Sequence, residues 1–282
     1  MEASTLLSVQ VEEVIRVAQE AGRLVLEMQR RGLHGVRSKS SAIDLVTEAD
    51  VAAEAQIRAG LQELAPAAGF WGEESDTRPT QEFFWLVDPI DGTTNYANSI
   101  PLFAVNIALN RGEETLLGVT LELPSGRIFW AERGRGAFLR TPDGQEQRLQ
   151  VNQVERLEQA VLTTGFPYSR AHHPDNNSRE FTAFMVQSAG VRCMGSAALE
   201  LAYVAAGYTT AHWEAGPKAW DVAPGLLLIQ EAGGRVTTYS GGPRRLDSRT
   251  IVASNGQPAL HQALLATLQE VRQALPERLF QE

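Results

Sequence analysis

The chain has 282 residues and 25 basic against 34 acidic side chains, a formal net charge of −9 that disfavours broad binding to nucleic acid or anionic membranes, whose phosphates would be repelled. One cysteine, Cys193, excludes an intramolecular disulfide and fits a reducing, cytoplasmic location. No apolar run approaches the roughly 20 residues of a membrane span, and the first residues lack the cationic start and apolar stretch of a secretory leader.

Residues 8–31 read as an amphipathic helix, with Val11, Val14, Ile15, Ala18, Val25 and Met28 on one face. Glu12 and Glu13 open it, Arg30 and Arg31 close it, and Gly32 follows as a C-cap. A second helix starts near Thr47, where Thr47-Glu48-Ala49-Asp50 fits a capping box. The period then changes. Phe83–Val87 is a short, continuously apolar run ending at Asp88 and reads as a buried strand. Strands follow at Phe103–Leu109, Leu116–Leu123 and Arg127–Ala131, with Pro124-Ser125-Gly126 turning between the last two. Ala137–Leu139 and Arg148–Val151 continue what these hairpins predict to be a largely antiparallel sheet.

Beyond residue 152 the pattern alternates. Strands are predicted at Ala160–Thr164, Val191–Met194, Thr209–Trp213, Arg235–Tyr239 and Thr250–Ala253, and helices over about 176–189, 196–206, 220–232 and 257–274. Gly207 and Gly233 stand where C-caps belong. No linker rich in Pro, Gly or Ser divides the chain. The prediction is one domain over residues 1–282 with two subdomains, an α+β half to about 152 and an α/β half over 153–282.

The stretch Gly72–Asn95 holds six acids (Glu73, Glu74, Asp76, Glu82, Asp88 and Asp91) and one base, Arg78. Asp88 ends a strand too apolar to be exposed, and Pro89 stiffens the turn that leads to Asp91. Two carboxylates at a buried strand end must be protonated, paired with cations or bound to metal. Oxygen donors without His or Cys suit a hard cation such as Mg²⁺ or Mn²⁺. The small residues Gly92-Thr93-Thr94 could offer backbone amides to phosphate beside it. Taken one at a time, Asp50 also fits a helix cap, Thr93 a turn, Ser196 a helix N-cap, and Glu214, Lys39 and Lys218 a solvated surface. Cys193, in an apolar strand, reads as a buried small residue. His172-His173 brings no second ligand set, and no nucleotide-binding glycine loop is present.

Four stretches occur together: Asp44-Leu45-Val46-Thr47-Glu48-Ala49-Asp50, Gly72-Glu73-Glu74, Trp85 to Asn95 (Trp-Leu-Val-Asp-Pro-Ile-Asp-Gly-Thr-Thr-Asn), and Trp220-Asp221-Val222-Ala223. In this order they resemble the signature motifs of the inositol monophosphatase family. The resemblance implies the layered α-β-α-β-α sandwich of the inositol monophosphatase/fructose-1,6-bisphosphatase type. It implies that Glu73, Asp88 and the Ile90 carbonyl hold one Mg²⁺, that Asp88, Asp91 and Asp221 hold a second, and that a third, weaker ion sits near Glu73. Mn²⁺ could substitute.

By the same resemblance Thr93 and Asp50 form the water-activating pair, and the Gly92 and Thr93 amides meet the phosphate. Gly195, Ser196, Ala197 and Glu214 face the substrate hydroxyls, while Glu74 and Lys39 lie near the metals without ligating them. The implied activity is hydrolysis of a phosphate monoester by direct attack of water, with no covalent phosphoenzyme. Inositol 1-phosphate is the leading substrate. Fructose 1,6-bisphosphate, a 3′,5′-bisphosphate nucleotide, histidinol phosphate or NADP are the alternatives within that chemistry. A non-catalytic phosphate-binding module is disfavoured, because none of Glu73, Asp88, Asp91, Thr93 or Asp221 is missing. A homodimer and inhibition by Li⁺ also follow from the resemblance.

Overall fold

A computed structural model describes residues 9–32, 37–38 and 45–273 of the chain. Lys39 and Asp44 lie outside the described residues. Two helices come first, α1 (Val11–Arg31) and α2 (Glu48–Leu64). The Gly32 N–H donates to Gln29 O at 3.1 Å in the expected C-cap. At the start of α2 the capping box forms: Thr47 N donates to Asp50 Oδ2 at 2.7 Å, and Ala49 N donates to Thr47 Oγ1 at 3.2 Å. Between the helices β1 (Arg37–Ser38) and β2 (Leu45–Val46) pair antiparallel.

A sheet of seven strands follows in chain order. Its members are β3 (Gly69–Gly72), β4 (Phe83–Asp91), β5 (Phe103–Arg111), β6 (Glu114–Leu123), β7 (Ile128–Glu132), β8 (Gly136–Arg140) and β9 (Glu146–Arg148). Only β3 and β4 pair in parallel; every other neighbour is antiparallel. The segment Gly69-Phe70-Trp71-Gly72, too short and glycine-flanked to show a period, was not predicted as a strand. Arg148–Val151 was predicted as one and is not. The ladder ends at Arg148, and Leu149 and Val151 alternate inward because they bury in the core beneath, Leu149 N bonding Ala137 O and Val151 N bonding Ala232 O.

The second sheet has five strands in the order β11, β10, β12, β14, β13. These are β10 (Val161–Thr164), β11 (Gly190–Arg192), β12 (Ala211–Ala215), β13 (Arg235–Thr237) and β14 (Thr250–Ser254). Five further helices complete the order: α3 (Thr93–Ala97), α4 (Ser178–Gln187), α5 (Ala197–Ala205), α6 (Ala219–Glu231) and α7 (Pro258–Arg272). The short α3 begins directly after Gly92, where the small residues offer their amides. Strand β11 stops at Arg192, so Cys193 lies past its end and is exposed, not buried as predicted.

The layers explain the sequence patterns. Trp85 and Val87 of β4 pack with α1 and α2 through Val14, Val25, Ile57 and Leu61. Phe84 and Leu86, pointing the other way, meet Ala219 and Ala223 of α6. A strand covered on both faces reads as one continuous apolar run. Helices α5 and α6 in turn pack between the sheets, touching Phe129 and Leu139 on one side and Ile251 and Ala253 on the other. Val252, with Leu162 and Trp213, faces α4 and α7. The order is helices, sheet, helices, sheet, helices, as expected. No helix among the described residues is long and apolar enough to cross a membrane.

One joint in this stack depends on a missing hydrogen. Pro224 lies inside α6 and has no N–H, so the Trp220 carbonyl one turn earlier loses its helical donor. Asn106 of β5 supplies the replacement: its Nδ2 donates to Trp220 O at 2.7 Å and to Asp221 O at 3.0 Å, and its Oδ1 accepts from Thr120 Oγ1 at 2.6 Å. Asn106 is fully buried. Asn106→Leu should therefore lower the unfolding free energy by about 1–3 kcal/mol in urea titrations, since it leaves buried polar groups unpaired. Pro224→Ala in that background should recover part of the loss by restoring the N–H. No recovery would mean that Asn106 acts by packing alone.

Candidate active site

The site begins with a strand irregularity. Asp88 pairs with Asn106 and Asp91 with Ala104, so three steps along β4 match two along β5. In a regular strand, residues three apart point to opposite faces. The extra residue at Pro89-Ile90 returns Asp91 to the side of Asp88. From the other half of the chain, Asp221 arrives on the first turn of α6, where Lys218 N donates to its Oδ2 at 2.7 Å. Carboxylate oxygens of Asp88, Asp91 and Asp221 converge within 4.8 Å of one another.

Asp88 is 2% and Asp91 8% exposed, and Asp221 is half-buried. Among the described residues none of the three forms a salt bridge. Hydrogen bonds are few. Ile90 N donates to Asp88 Oδ1 at 3.0 Å, while Ala198 N donates to Asp91 Oδ2 at 2.9 Å and the Ser196 hydroxyl donates to the same oxygen. Burial pushes the pKa of Asp88 well above the ordinary carboxylate value, with Glu73, Asp91 and Asp221 adding repulsion. Burial also raises Asp221, aided by Asp91 and Glu73. Asp91 rises to about 7 despite its bonds from Ser196 and Ala198. An unpaired, oxygen-only donor set at this density fits a hard divalent cation.

The three acids line a cavity of about 550 Å³, along with Glu73, Ile90, Gly92, Thr93, Gly195, Ser196, Ala197 and Glu214. All those predicted site residues thus meet in one place. Asp50 stands behind Thr93, its Oδ1 3.4 Å from the Thr93 hydroxyl while its Oδ2 serves the Thr47 cap, so one carboxylate reaches both. A closer acceptor for that hydroxyl is Ile90 O at 3.1 Å. Burial raises Asp50 to about 7 against the Thr47 hydrogen bonds. Gly92 has φ +95°, and a Cβ there would lie 3.0 Å from Gly195 O, so glycine is required by both conformation and the close approach of the turn before α5. Glu74 does not line the cavity; its N–H donates to Glu54 Oε2 at 2.8 Å. Lys218 is exposed and lines the cavity at the start of α6. Cys193, exposed as a residue, lines it too; partial cover of its sulfur, with Glu200 and Glu214, pushes the thiol up to about 11.

Several supporting residues were not singled out in the sequence. Glu54 (5% exposed) braces the Gly72-Glu73-Glu74 turn, where a Cβ on Gly72 would lie 2.2 Å from its carboxylate. Asn95 donates to Leu102 O and Met194 O, each at 2.7 Å, tying α3 to the turn before α5. Asn106 braces Asp221. Glu200 and His212 are fully buried beside Glu214. A signal existed for two of them: Asn106 stands within the apolar run Phe103–Leu109 and Glu200 is the one charged residue of Ala197–Ala205, and such a residue must find a buried partner; His212, two residues from Glu214, shows only strand alternation.

The model of a family described as the inositol monophosphatase family matches residues 7–273. A Caulobacter vibrioides protein named inositol-1-monophosphatase is 42% identical over 237 residues, which cover 82% of this chain and 90% of that protein. A Pseudomonas aeruginosa protein named Nus factor SuhB is 39% identical over 262 residues, 90% of this chain and 94% of that protein. The solved inositol monophosphatase of Anabaena superposes with a TM-score of 0.80 at 33% identity, covering 92% of this chain and 94% of that one.

The raised carboxylates set a pH dependence. Their folded pKa values lie above the unfolded ones, so the metal-free fold is favoured most below about pH 4. That contribution is lost as pH rises through about 7, where Asp50 and Asp91 ionise. A bound divalent cation offsets the repulsion. Thermal denaturation with and without Mg²⁺ should therefore show a larger rise in Tm at pH 8 than at pH 5, and Asp88→Asn should abolish the rise at pH 8. Equal shifts at both pH values would contradict a cation held by this cluster.

Proposed function

The chain belongs to the inositol monophosphatase family and is a phosphoric monoester hydrolase, and we propose that it cleaves inositol 1-phosphate with Mg²⁺ by direct attack of water on phosphorus. The observation that carries this reading is the convergence of Asp88, Asp91 and Asp221 in one cavity, none of them in a salt bridge with another described residue. Glu73, Asp88, the Ile90 carbonyl, Asp91 and Asp221 would hold two ions, with Asp88 shared, and a third, weaker ion would sit near Glu73. When bound, the ions lower the pKa of water and neutralise charge on the attacking and leaving oxygens.

The chain's own side chains do the rest. Thr93, backed by Asp50, orients and deprotonates the attacking water: its hydroxyl accepts from the water as it donates to Asp50. Asp50, with a pKa near 7, can hold that proton. The Gly92 and Thr93 amides hold the phosphate. Glu214 and the backbone of Gly195 and Ala197 face the ring hydroxyls, and Ser196, whose proton goes to Asp91, offers them lone pairs only. Glu74 tunes the site from beyond the ligands through its charge, which raises Asp50; Lys39 would balance it from a segment outside the described residues. We further propose one catalytic unit of two halves meeting near residue 152, a homodimer, inhibition by Li⁺, and action in the cytoplasm.

Release of inorganic phosphate tests the proposal. With Mg²⁺, kcat/KM should rank inositol 1-phosphate above fructose 1,6-bisphosphate, a 3′,5′-bisphosphate nucleotide, histidinol phosphate and NADP. Another ranking corrects the substrate; no phosphate from any of them overturns the reading. Asp88→Asn should lower turnover by at least about 10³-fold with the fold retained by circular dichroism. Retained activity would sink the metal assignment.

A further inference from the structure

Strand β12 alternates. Ala211, Trp213 and Ala215 pack into the core against β14 and α7, so His212 and Glu214 point the other way, toward α5. There the imidazole of His212, with no exposure, sits between two carboxylates. Its Nδ1 lies 3.1 Å from Glu200 Oε2, and its Nε2 lies 3.3 Å from Glu214 Oε2. Neighbouring strands present no competing charge at this point: β10 offers the Thr163 hydroxyl, 3.1 Å from Nδ1, and β14 offers Ala253.

Both glutamates continue to the cavity, which they line while His212 does not. Glu200 uses its other oxygen to accept from Met194 N at 2.6 Å, fixing the turn that leads into Gly195 and Ser196. Glu214 lies against Gly165, where a Cβ would stand 2.1 Å from its Oε1, so the glycine makes room for this one carboxylate pose. Without the imidazole between them, two buried carboxylates would face each other unscreened.

We propose that His212 is a positioning residue for substrate selection: held between Glu200 and Glu214, it fixes the Glu214 carboxylate at the cavity wall as an acceptor for a substrate hydroxyl. This rests on the reading of Glu214 as a substrate contact. Each ring nitrogen lies within ion-pair distance of a carboxylate, an arrangement that favours the doubly protonated ring, while Nδ1 also meets the Thr163 hydroxyl. Burial pulls the imidazole's pKa down, but the hydrogen bonds and charges of the two glutamates outweigh it and bring it up to about 9. His212 touches neither the phosphate nor the proposed metal ligands. Its loss should reach the chemistry only through a hydroxyl that Glu214 holds.

The test compares inositol 1-phosphate with p-nitrophenyl phosphate, an ester with no ring hydroxyl for Glu214 to accept. His212→Phe should raise KM for inositol 1-phosphate about tenfold or more, with kcat within about threefold. It should leave kcat/KM for p-nitrophenyl phosphate within about twofold. His212→Gln, which keeps a donor, should fall between wild type and His212→Phe. Equal losses on both substrates, or none on either, would overturn the proposal. Nitrogen-15 NMR of the unaltered protein gives a readout independent of folding in the variants: one histidine should keep both ring nitrogens protonated at pH 7.5, and a neutral His212 would refute the clamp. Glu214→Gln separates the two readings. If it spares the preference for inositol 1-phosphate, the substrate contact fails, and this proposal with it. If it removes the preference and His212→Phe does not, only the role of His212 fails.

Discussion

Three carboxylates that repel one another are brought together out of water, and most of the site's architecture follows from holding them there. A buried, unpaired charge is costly, and three within hydrogen-bonding reach of a common point are worse. The fold offers Asp91 a hydroxyl and an amide, and Asp88 and Asp221 one amide each, well short of what full ionisation requires. What remains is attraction for a cation. On the proposed function, the negative chain handles a negative substrate by concentrating its own charge where a metal ion would offset it.

Holding the acids calls for rigidity on both sides of the site. On the first sheet a bulge at Pro89-Ile90 aims Asp88 and Asp91 the same way. Across from it, Pro224 frees a carbonyl in the helix that carries Asp221, and Asn106 of the neighbouring strand takes that carbonyl up. The proline that weakens the helix thereby creates a docking point to the strand beside Asp88. Gly118 opposite Pro224 completes the joint, since a Cβ there would lie 2.7 Å from the Pro224 Cα. Glu54 beneath the Gly72 turn and Asn95 beneath Gly195 repeat the device: a buried polar side chain secures the backbone that a functional residue stands on.

The far wall solves a different problem with the same means. Glu200 and Glu214 are also acids close together with little water, but here a side chain of the chain itself, His212, stands between them. One cavity is thus bordered by two acidic clusters, one that could hold a metal ion and one with an imidazole already in place. On the proposed function, the first serves the chemistry and the second the choice of alcohol.

Read alone, the sequence determined the periodic elements, the helix caps at Thr47 and Gly32, and the acid-bearing motifs that meet in one cavity, because these rest on local spacing and on residue chemistry that any context preserves. The apolar run before Asp88 also carried its meaning directly, since a strand so apolar must be covered on both faces. Tertiary structure decided the rest. Leu149 and Val151 alternate like a strand but obey the core instead of a ladder, and Cys193 is exposed because β11 ends one residue earlier. Asn106 and Glu200 look alike in sequence, as polar residues stranded among apolar ones, and His212 shares a face with Glu214 two residues along. That Asn106 would meet Trp220 and that Glu200 would meet His212 depended on contacts more than ten residues away, set by how two sheets stack, and no local pattern encodes that geometry.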